Sequence, residues 1–295
     1  MHKNKKYLAA VSGGPDSMAM LNMFKKNIIA VLHVNYHKRV DSDNDMNIVK
    51  NYCENNNIKF EYLSVSHEKY EDIKNNNFQA KARTIRYEFF LHMANKYKEF
   101  EIIIAHNSDD FLETAIMSAN RESANLFHGI KKYNNYKELK IYRPLIHKSK
   151  KSLIKYCIRN KIAYAIDSSN ELEIYERNRV RKELKEKSFF HKKMLMLKFK
   201  TLNFLKTFEQ FKVNELYDKW EKQLFDCKEF ENINDKYKIY IVYKYLRLLQ
   251  LETVNRNKID LLIDFIKNGR QESQLRLQEN VFVIKKKNLL EVKEV

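Results

Sequence analysis

Along the N-terminal part of the chain, apolar positions switch repeatedly between a strand-like and a helix-like spacing. The run Tyr7-Leu8-Ala9-Ala10-Val11 predicts a short buried strand, and Met18 to Phe24 a helix just after it. Ile28-Ile29-Ala30-Val31-Leu32-His33-Val34 is β-branched and apolar on both faces, as in strands of parallel sheets covered by helices. Asp41 to Asn56 fits a surface helix and Ile58 to Leu63 an alternating strand, with a polar loop over Asn75 to Phe78. A long helix over Phe78 to Tyr97 leads to a strand over Phe100 to Ala105, and a further helix covers Asp109 to Asn120. Lys150 to Asn160 predicts a helix, Ile162 to Ala165 a short strand, and Tyr175 to Lys187 a charge-dense helix. Strands alternating with helices at this spacing imply βαβ units, hence an α/β fold with a doubly wound, mostly parallel sheet.

The pattern then changes. Phe189 to Leu224 repeats Phe and Leu at helical spacing with Lys between them, so a boundary is expected near residues 185–205. Ile239 to Leu251 and Lys258 to Ile266 predict buried helices, and Leu275 to Val292 alternates around two polar turns, predicting a hairpin or meander. The expected organisation is a domain over 1–187, a helical linker over 188–225 and a small α+β domain over 226–295.

With 56 Lys+Arg against 38 Asp+Glu, the 295-residue chain carries a formal charge of +18, which points to a polyanionic partner, nucleic acid ahead of membrane. An abundance of Lys, Asn, Ile and Tyr, of the kind that coding sequence poor in G and C produces, contributes to this charge as well. Cys53, Cys157 and Cys227 lie far apart with no C-x-x-C pair, which argues against zinc or a disulfide framework. The basic Met1 to Lys6 is followed by an apolar run broken at Ser12, too short for a signal peptide, and no stretch approaches the roughly 20 apolar residues of a membrane span. A cytoplasmic location without membrane attachment is expected.

The chemistry starts at Ser12-Gly13-Gly14-Pro15-Asp16-Ser17, between the first strand and the first helix. Two glycines let backbone N–H groups approach an anion, Ser12 and Ser17 add hydroxyls, and the helix start points its positive end at the charge. A carboxylate there is repelled by phosphate unless a divalent cation lies between them, so Asp16 implies Mg²⁺. No Gly-Lys-Ser/Thr follows, so this is not a Walker loop. The hexapeptide resembles the SGGxDS signature of the PP-loop ATP pyrophosphatases, which implies a Rossmann-like fold, ATP and Mg²⁺, and adenylation of a substrate. That superfamily spans GMP and NAD synthetases, tRNA thiolases and tRNA(Ile)-lysidine synthetases.

Other blocks narrow the choice. His106-Asn107-Ser108-Asp109-Asp110-Phe111-Leu112-Glu113-Thr114 follows a predicted strand end and puts three carboxylates near a helix start. Acidic residues are common there for dipole reasons alone. The block is similar to the AHxxDDxxET motif of the lysidine synthetases, which implies that His106 lies near the adenylated intermediate and that Asp109, Asp110 and Glu113 hold Mg²⁺ or the amino substrate. Arg83 and Arg86 lie one turn apart in Ala82-Arg83-Thr84-Ile85-Arg86-Tyr87, similar to the family's A-R-x-x-R-Y block, and are candidates to stabilise charge at the α-phosphorus or to contact substrate. His33 and Asn35, in a segment resembling H-V-[DN]-H-x-x-R with Tyr36 replacing a His, are expected near the nucleoside of ATP. Arg143-Pro144-Leu145, Asp167-Ser168-Ser169-Asn170 and Arg177-Asn178-Arg179-Val180-Arg181 resemble the R-P-L, D-x-S-N and R-N-x-x-R elements, making Arg143, Arg177, Arg179 and Arg181 candidates for tRNA or substrate contact.

The blocks run in family order from residue 7 to about 185, with one departure. Where the family has a Gly-containing loop, this chain has Arg121-Glu122-Ser123-Ala124-Asn125-Leu126-Phe127-His128-Gly129-Ile130, and only Arg121 and Gly129 match. The resemblance implies ligation of free lysine to the wobble cytidine of an isoleucine tRNA with a CAU anticodon, through an adenylate, with release of AMP and pyrophosphate. A PP-loop tRNA thiolase and a non-catalytic RNA-binding protein on the same fold are the alternatives; the cysteine positions disfavour the first, and an RNA-repelling acidic cluster the second.

Overall fold

The computed structural model describes residues 5–37, 42–66, 78–120, 126–165, 175–249, 251 and 254–294. Asp167 to Asn170, Arg121 to Asn125, Lys38, Arg39 and most of the Asn75 to Phe78 loop lie outside them. The chain forms two compact units, one of 1–113 with 130–187 and one of 114–129 with 188–295.

The first unit is the expected α/β fold. Its sheet has the order β3-β2-β1-β4-β6-β5, built from β1 (Tyr7–Ala10), β2 (Ile28–Asn35), β3 (Lys59–Ser64), β4 (Glu101–Ile104), β5 (Tyr133–Tyr136) and β6 (Leu139–Tyr142). All neighbours are parallel except β5 and β6, which form an antiparallel hairpin at one edge. The helices are α1 (Pro15–Phe24), α2 (Ser42–Asn55), α3 (Phe78–Tyr97), α4 (Ser108–Asn120, continuing into the second unit), α5 (Lys150–Arg159) and α6 (Tyr175–Glu186). Alternation along the central strands supplies both faces. Leu8, Leu32 and Ile102 pack with Tyr87, Phe90 and Met93 of α3, whereas Ala9, Val31 and Ile103 pack with Met18 and Leu21 of α1, Cys53 of α2 and Leu153 of α5.

Two local differences from expectation have clear causes. Ile162 to Ala165 pairs with no strand among the described residues; Ala165 instead donates its N–H to the carbonyl of Gly13 at 2.9 Å, so the segment braces the loop after β1. The β5–β6 hairpin carries Tyr-Asn-Asn-Tyr and Leu-Lys-Ile-Tyr, an edge pair with too few apolar positions to declare itself.

In the second unit, α7 (Phe189–Leu205), α8 (Thr207–Lys222), α9 (Cys227–Glu231), α10 (Asp235–Leu248) and α11 (Arg256–Asn268) precede the antiparallel meander β7 (Gln274–Gln278), β8 (Val281–Lys286) and β9 (Leu289–Glu294). Val213, Tyr217 and Trp220 of α8 share one core with Tyr245, Leu262 and Val283. The stretch 188–225, expected as a separate linker, therefore includes core helix. Among the described residues, no helix is long and apolar enough to cross a membrane.

Candidate active site

In an open parallel sheet, ligands bind beyond the carboxyl ends of strands where the order reverses. Here that point lies between β1 and β4, which pair in register from Leu8 with Ile102 to Ala10 with Ile104. The loops leaving them, 11–14 and 105–107, carry the two central motifs.

After β1, Gly13 adopts φ +93°, a conformation that side chains disfavour, and a Cβ there would lie 3.0 Å from the carbonyl oxygen of Asp45. Gly14 is the N-cap of α1 with no side chain to offer its first N–H groups, and Pro15 at the first helical position needs no N–H partner. Ser17 Oγ donates to the Gly14 carbonyl at 2.9 Å and lies 3.3 Å from Ser12 Oγ. The loop thus keeps a helix start open to an anion. His33 and Asn35, expected at the nucleoside, are buried and internally engaged. His33 Nδ1 bonds the Val11 carbonyl at 2.9 Å, while Asn35 donates to Asp43 at 2.7 Å and accepts from the His37 N–H at 2.9 Å. Both side chains brace the loop from within the protein through these bonds.

After β4, Asn107 is the N-cap of α4. Its Oδ1 accepts from the N–H groups of Asp109 (2.7 Å) and Asp110 (3.2 Å), and Asp110 Oδ2 returns a bond to the Asn107 N–H at 2.8 Å, closing a capping box. The remaining amide donor, Nδ2, reaches Asp16 Oδ2 at 3.0 Å. Asn107 is 2% exposed and ties the two motifs together, yet motif reading passes over it. Its one sequence signal is the Asn-x-x-Asp spacing at a helix start.

Asp16 Oδ1 is buried and has no hydrogen-bond partner among the described residues. Burial, reinforced by Asp110 and Asp109, raises the Asp16 carboxyl to about 6, against the opposing pull of Lys150 and Asn107. An unpartnered, desolvated carboxylate oxygen beside an open helix start fits a divalent cation shared with phosphate. Asp109 Oδ2 accepts from the Lys150 N–H at 2.9 Å, at the start of α5. Glu113 is 4% exposed and bound by Arg177 Nε at 3.2 Å and Arg181 Nε at 2.9 Å. Glu113 therefore ties α4 to α6 through both arginines. Arg177 and Arg181, expected at tRNA or substrate, both make this contact with Glu113; Arg179 alone of the three is exposed, near Glu183 at 3.7 Å.

His106 gathers the arginines. Burial and then the charges of Arg143, Arg177, Arg86 and Arg83 lower its imidazolium pKa to about 3, so the ring is neutral. Arg143, expected at substrate or tRNA, is 4% exposed and directs its Nε at His106 Nδ1 at 2.9 Å. Arg83 and Arg86 are exposed, with Arg83 over the Tyr87 ring at 4.7 Å. The loop at 12–17 and the acidic block at 106–114 thus meet through Asn107 and Asp16, with Arg143 reaching His106 beside them.

Against known proteins, residues 1–188 match the PP-loop domain family. A curated tRNA(Ile)-lysidine synthase from Ureaplasma parvum is 44% identical over 285 residues, covering 95% of this chain and 85% of that protein. The chain belongs to the tRNA(Ile)-lysidine synthase family. Other members resemble it over nearly their whole length, including those of Malacoplasma penetrans, at 42% identity over 97% of this chain and 98% of the relative, and Mycoplasma genitalium, at 36% over 98% of each. A solved U34-tRNA thiolase from Methanococcus maripaludis shares the fold, with a TM-score of 0.55 at 17% identity over 68% of this chain and 72% of that one.

The family's second unit here presents an unusual helix. From Ser188 to Phe208 there are five lysines (192, 193, 198, 200 and 206) and no Asp or Glu. Phe189, Phe190, Leu197, Phe204 and Phe208 are each more than half exposed on α7 and the start of α8. In the segment between α4 and β5, Gly129 holds φ +92°, so the family glycine that this chain retains is one its backbone requires. Asn203, which no motif flags, donates to the His128 carbonyl at 2.9 Å and accepts from the His128 N–H at 2.8 Å, pairing with that peptide as a strand neighbour does.

Proposed function

We propose that this protein ligates free lysine to C2 of the wobble cytidine of an isoleucine tRNA bearing a CAU anticodon, through an adenylated base, releasing pyrophosphate and AMP. The observation that carries this reading is Asn107, which joins the phosphate-loop carboxylate Asp16 to the acidic helix start behind His106, in a chain of the lysidine synthase family. Gly13, Gly14, Ser12 and Ser17 seat the ATP phosphates at the start of α1. Asp16 is the residue that would hold Mg²⁺, which would supply neutralisation of the phosphates when bound. The C2 carbonyl oxygen attacks the α-phosphorus and pyrophosphate departs; Arg83, Arg86 and Arg177 offset the charge developing around His106.

The lysine ε-amine then attacks C2 and AMP leaves. The amine must first lose a proton. Asp110, whose carboxyl burial raises above the usual range, is the better acceptor, since Glu113 is occupied by two arginines. The exposed lysines and aromatics of α7 suit an RNA partner, with ammonium groups for phosphates and rings for unpaired bases. A sulfur-transferring alternative finds no support in the cysteines: burial pushes Cys53 up to about 12 and Cys157 and Cys227 up to about 11, the wrong direction for nucleophilic thiols.

Incubation of the protein with folded isoleucine tRNA, ATP and labelled lysine tests the proposal. Label is expected in the RNA, one AMP appearing per lysine incorporated. Label that stays free in the presence of intact tRNA refutes it.

A further inference from the structure

Arginine has N–H donors and no acceptor. The 2.9 Å hydrogen bond from Arg143 Nε to His106 Nδ1 therefore requires a lone pair on that ring nitrogen. A histidine with a bare Nδ1 is neutral and carries its one ring proton on Nε2. Both the imidazolium and the opposite tautomer place a proton on Nδ1, facing a group that only donates.

The guanidinium itself is held. Arg143 Nη1 donates to the Lys131 carbonyl at 2.9 Å and to the side-chain oxygen of Asn134 on β5, and the Arg143 N–H donates to the Lys132 carbonyl at 2.9 Å. Asn134 lies opposite Ile141 in the β5–β6 hairpin, so the strand edge sets the guanidinium plane. The ring is half-buried at the carboxyl end of β4, one residue before the Asn107 cap that reaches Asp16.

We propose that Arg143 is a positioning residue: through its bond to Nδ1 it holds His106 as the Nε2–H tautomer, so that His106 meets the reacting groups as a hydrogen-bond donor and not as a base. This rests on the reading that His106 faces the adenylation site. The charged groups around the ring agree with that state. Arg143, Arg177 of α6, and Arg86 and Arg83 of α3 all oppose protonation, and the carboxylates of α4 following the ring, Asp109 and Asp110, are engaged with the Lys150 and Asn107 N–H groups. A neutral donor suits an oxygen that gains negative charge, such as a phosphate oxygen of the adenylate, and it leaves proton acceptance from lysine to a carboxylate.

The test uses the full chain, ¹⁵N-labelled at histidine, with Arg143→Met and Arg143→Gln. Methionine fills the space without a donor, whereas the glutamine amide nitrogen falls at the position of arginine Nε. Ring ¹H–¹⁵N correlation spectra are expected to show a bare Nδ1 and a protonated Nε2 on His106 in the native chain and in Arg143→Gln, and a tautomer mixture in Arg143→Met. The kcat for tRNA-dependent pyrophosphate release is expected to fall by about 10²-fold in Arg143→Met with the KM for ATP little changed, and to recover substantially in Arg143→Gln. Arg143→Met is also expected to gain an acid limb in its pH profile as His106 becomes protonatable. A proton on Nδ1 in an active native chain overturns the inference, as does an Arg143→Met protein with native tautomer and native kcat. The native spectrum decides should Arg143→Met not fold. A native chain with bare Nδ1 that transfers no lysine refutes the assignment of the reaction instead.

Discussion

The carboxylate of Asp16 should make the free protein less stable than it need be, and replacing it with Asn should reveal by how much. Folding raises this carboxyl from 3.8 to about 6 because burial outweighs Lys150 and the Asn107 hydrogen bond. Between those values the folded state binds more protons than the unfolded state, so stability falls by about 1.4 kcal/mol per pH unit. Over the shift this amounts to about 3 kcal/mol, lost as pH rises from about 4 to about 6. The contribution is fully present below the unfolded value and gone above the folded one.

Asparagine keeps an oxygen for Asn107 Nδ2 and carries no charge. At pH 8 without nucleotide, Asp16→Asn should therefore be more stable than the native chain by up to about 3 kcal/mol, and at pH 4 the two should nearly coincide. Urea denaturation at both pH values measures this, with the m-value checked for constancy. Pyrophosphate release should be abolished, and saturating Mg²⁺-ATP should stabilise the native chain only. An Asp16→Asn protein that is less stable at pH 8, or that still forms pyrophosphate, refutes the argument that this buried charge is retained for a cation.

Three further outcomes follow from other contacts. Glu113→Gln leaves Arg177 and Arg181 facing a neutral amide; a loss of about 3 kcal/mol in denaturant unfolding is expected, against almost none for Glu183→Gln at the exposed Arg179 pair. Asn203→Ala leaves the His128 N–H and carbonyl without their partner and should cost about 1–3 kcal/mol, read by thermal melting, with faster hydrogen exchange at residues 126–129. Replacing Lys193, Lys198 and Lys200 of α7 with Gln should weaken tRNA binding and lower the slope of log affinity against log salt by up to about 3, while ATP binding stays unchanged; an unaltered salt slope would remove α7 from the RNA interface.

Much of the fold was legible because the central strands are buried on both faces. Val31 and Leu32 face opposite helix layers, so their stretch cannot be polar on either side, and a continuous β-branched run marks it. The β5–β6 hairpin was not legible: an edge pair needs one apolar face at most, and Tyr-Asn-Asn-Tyr reads as loop until it is paired. Ile162 to Ala165 misled in the other direction, since its apolar residues pack and brace the loop at Gly13 without strand neighbours.

For the site, residue types and spacing singled out the hexapeptide at 12–17 and the acidic block at 106–114, because glycines and carboxylates at a helix start leave a compositional trace. Which polar groups remain for a ligand is a different question. His33, Asn35, Glu113 and Arg143 all look like ligand contacts in one dimension, and each is taken up by a partner that only folding brings near, namely Val11, Asp43, the α6 arginines and His106. Asn107 is the converse case, a residue with no motif of its own that joins Asp16 to Asp110 across 91 and 3 positions of chain. The sequence by itself determined the chemistry available at the ends of β1 and β4, since that depends on side-chain identity and local backbone freedom. The tertiary structure decided which partners those side chains meet inside the protein, since Val11, Asp43, the α6 arginines and His106 come near them only on folding.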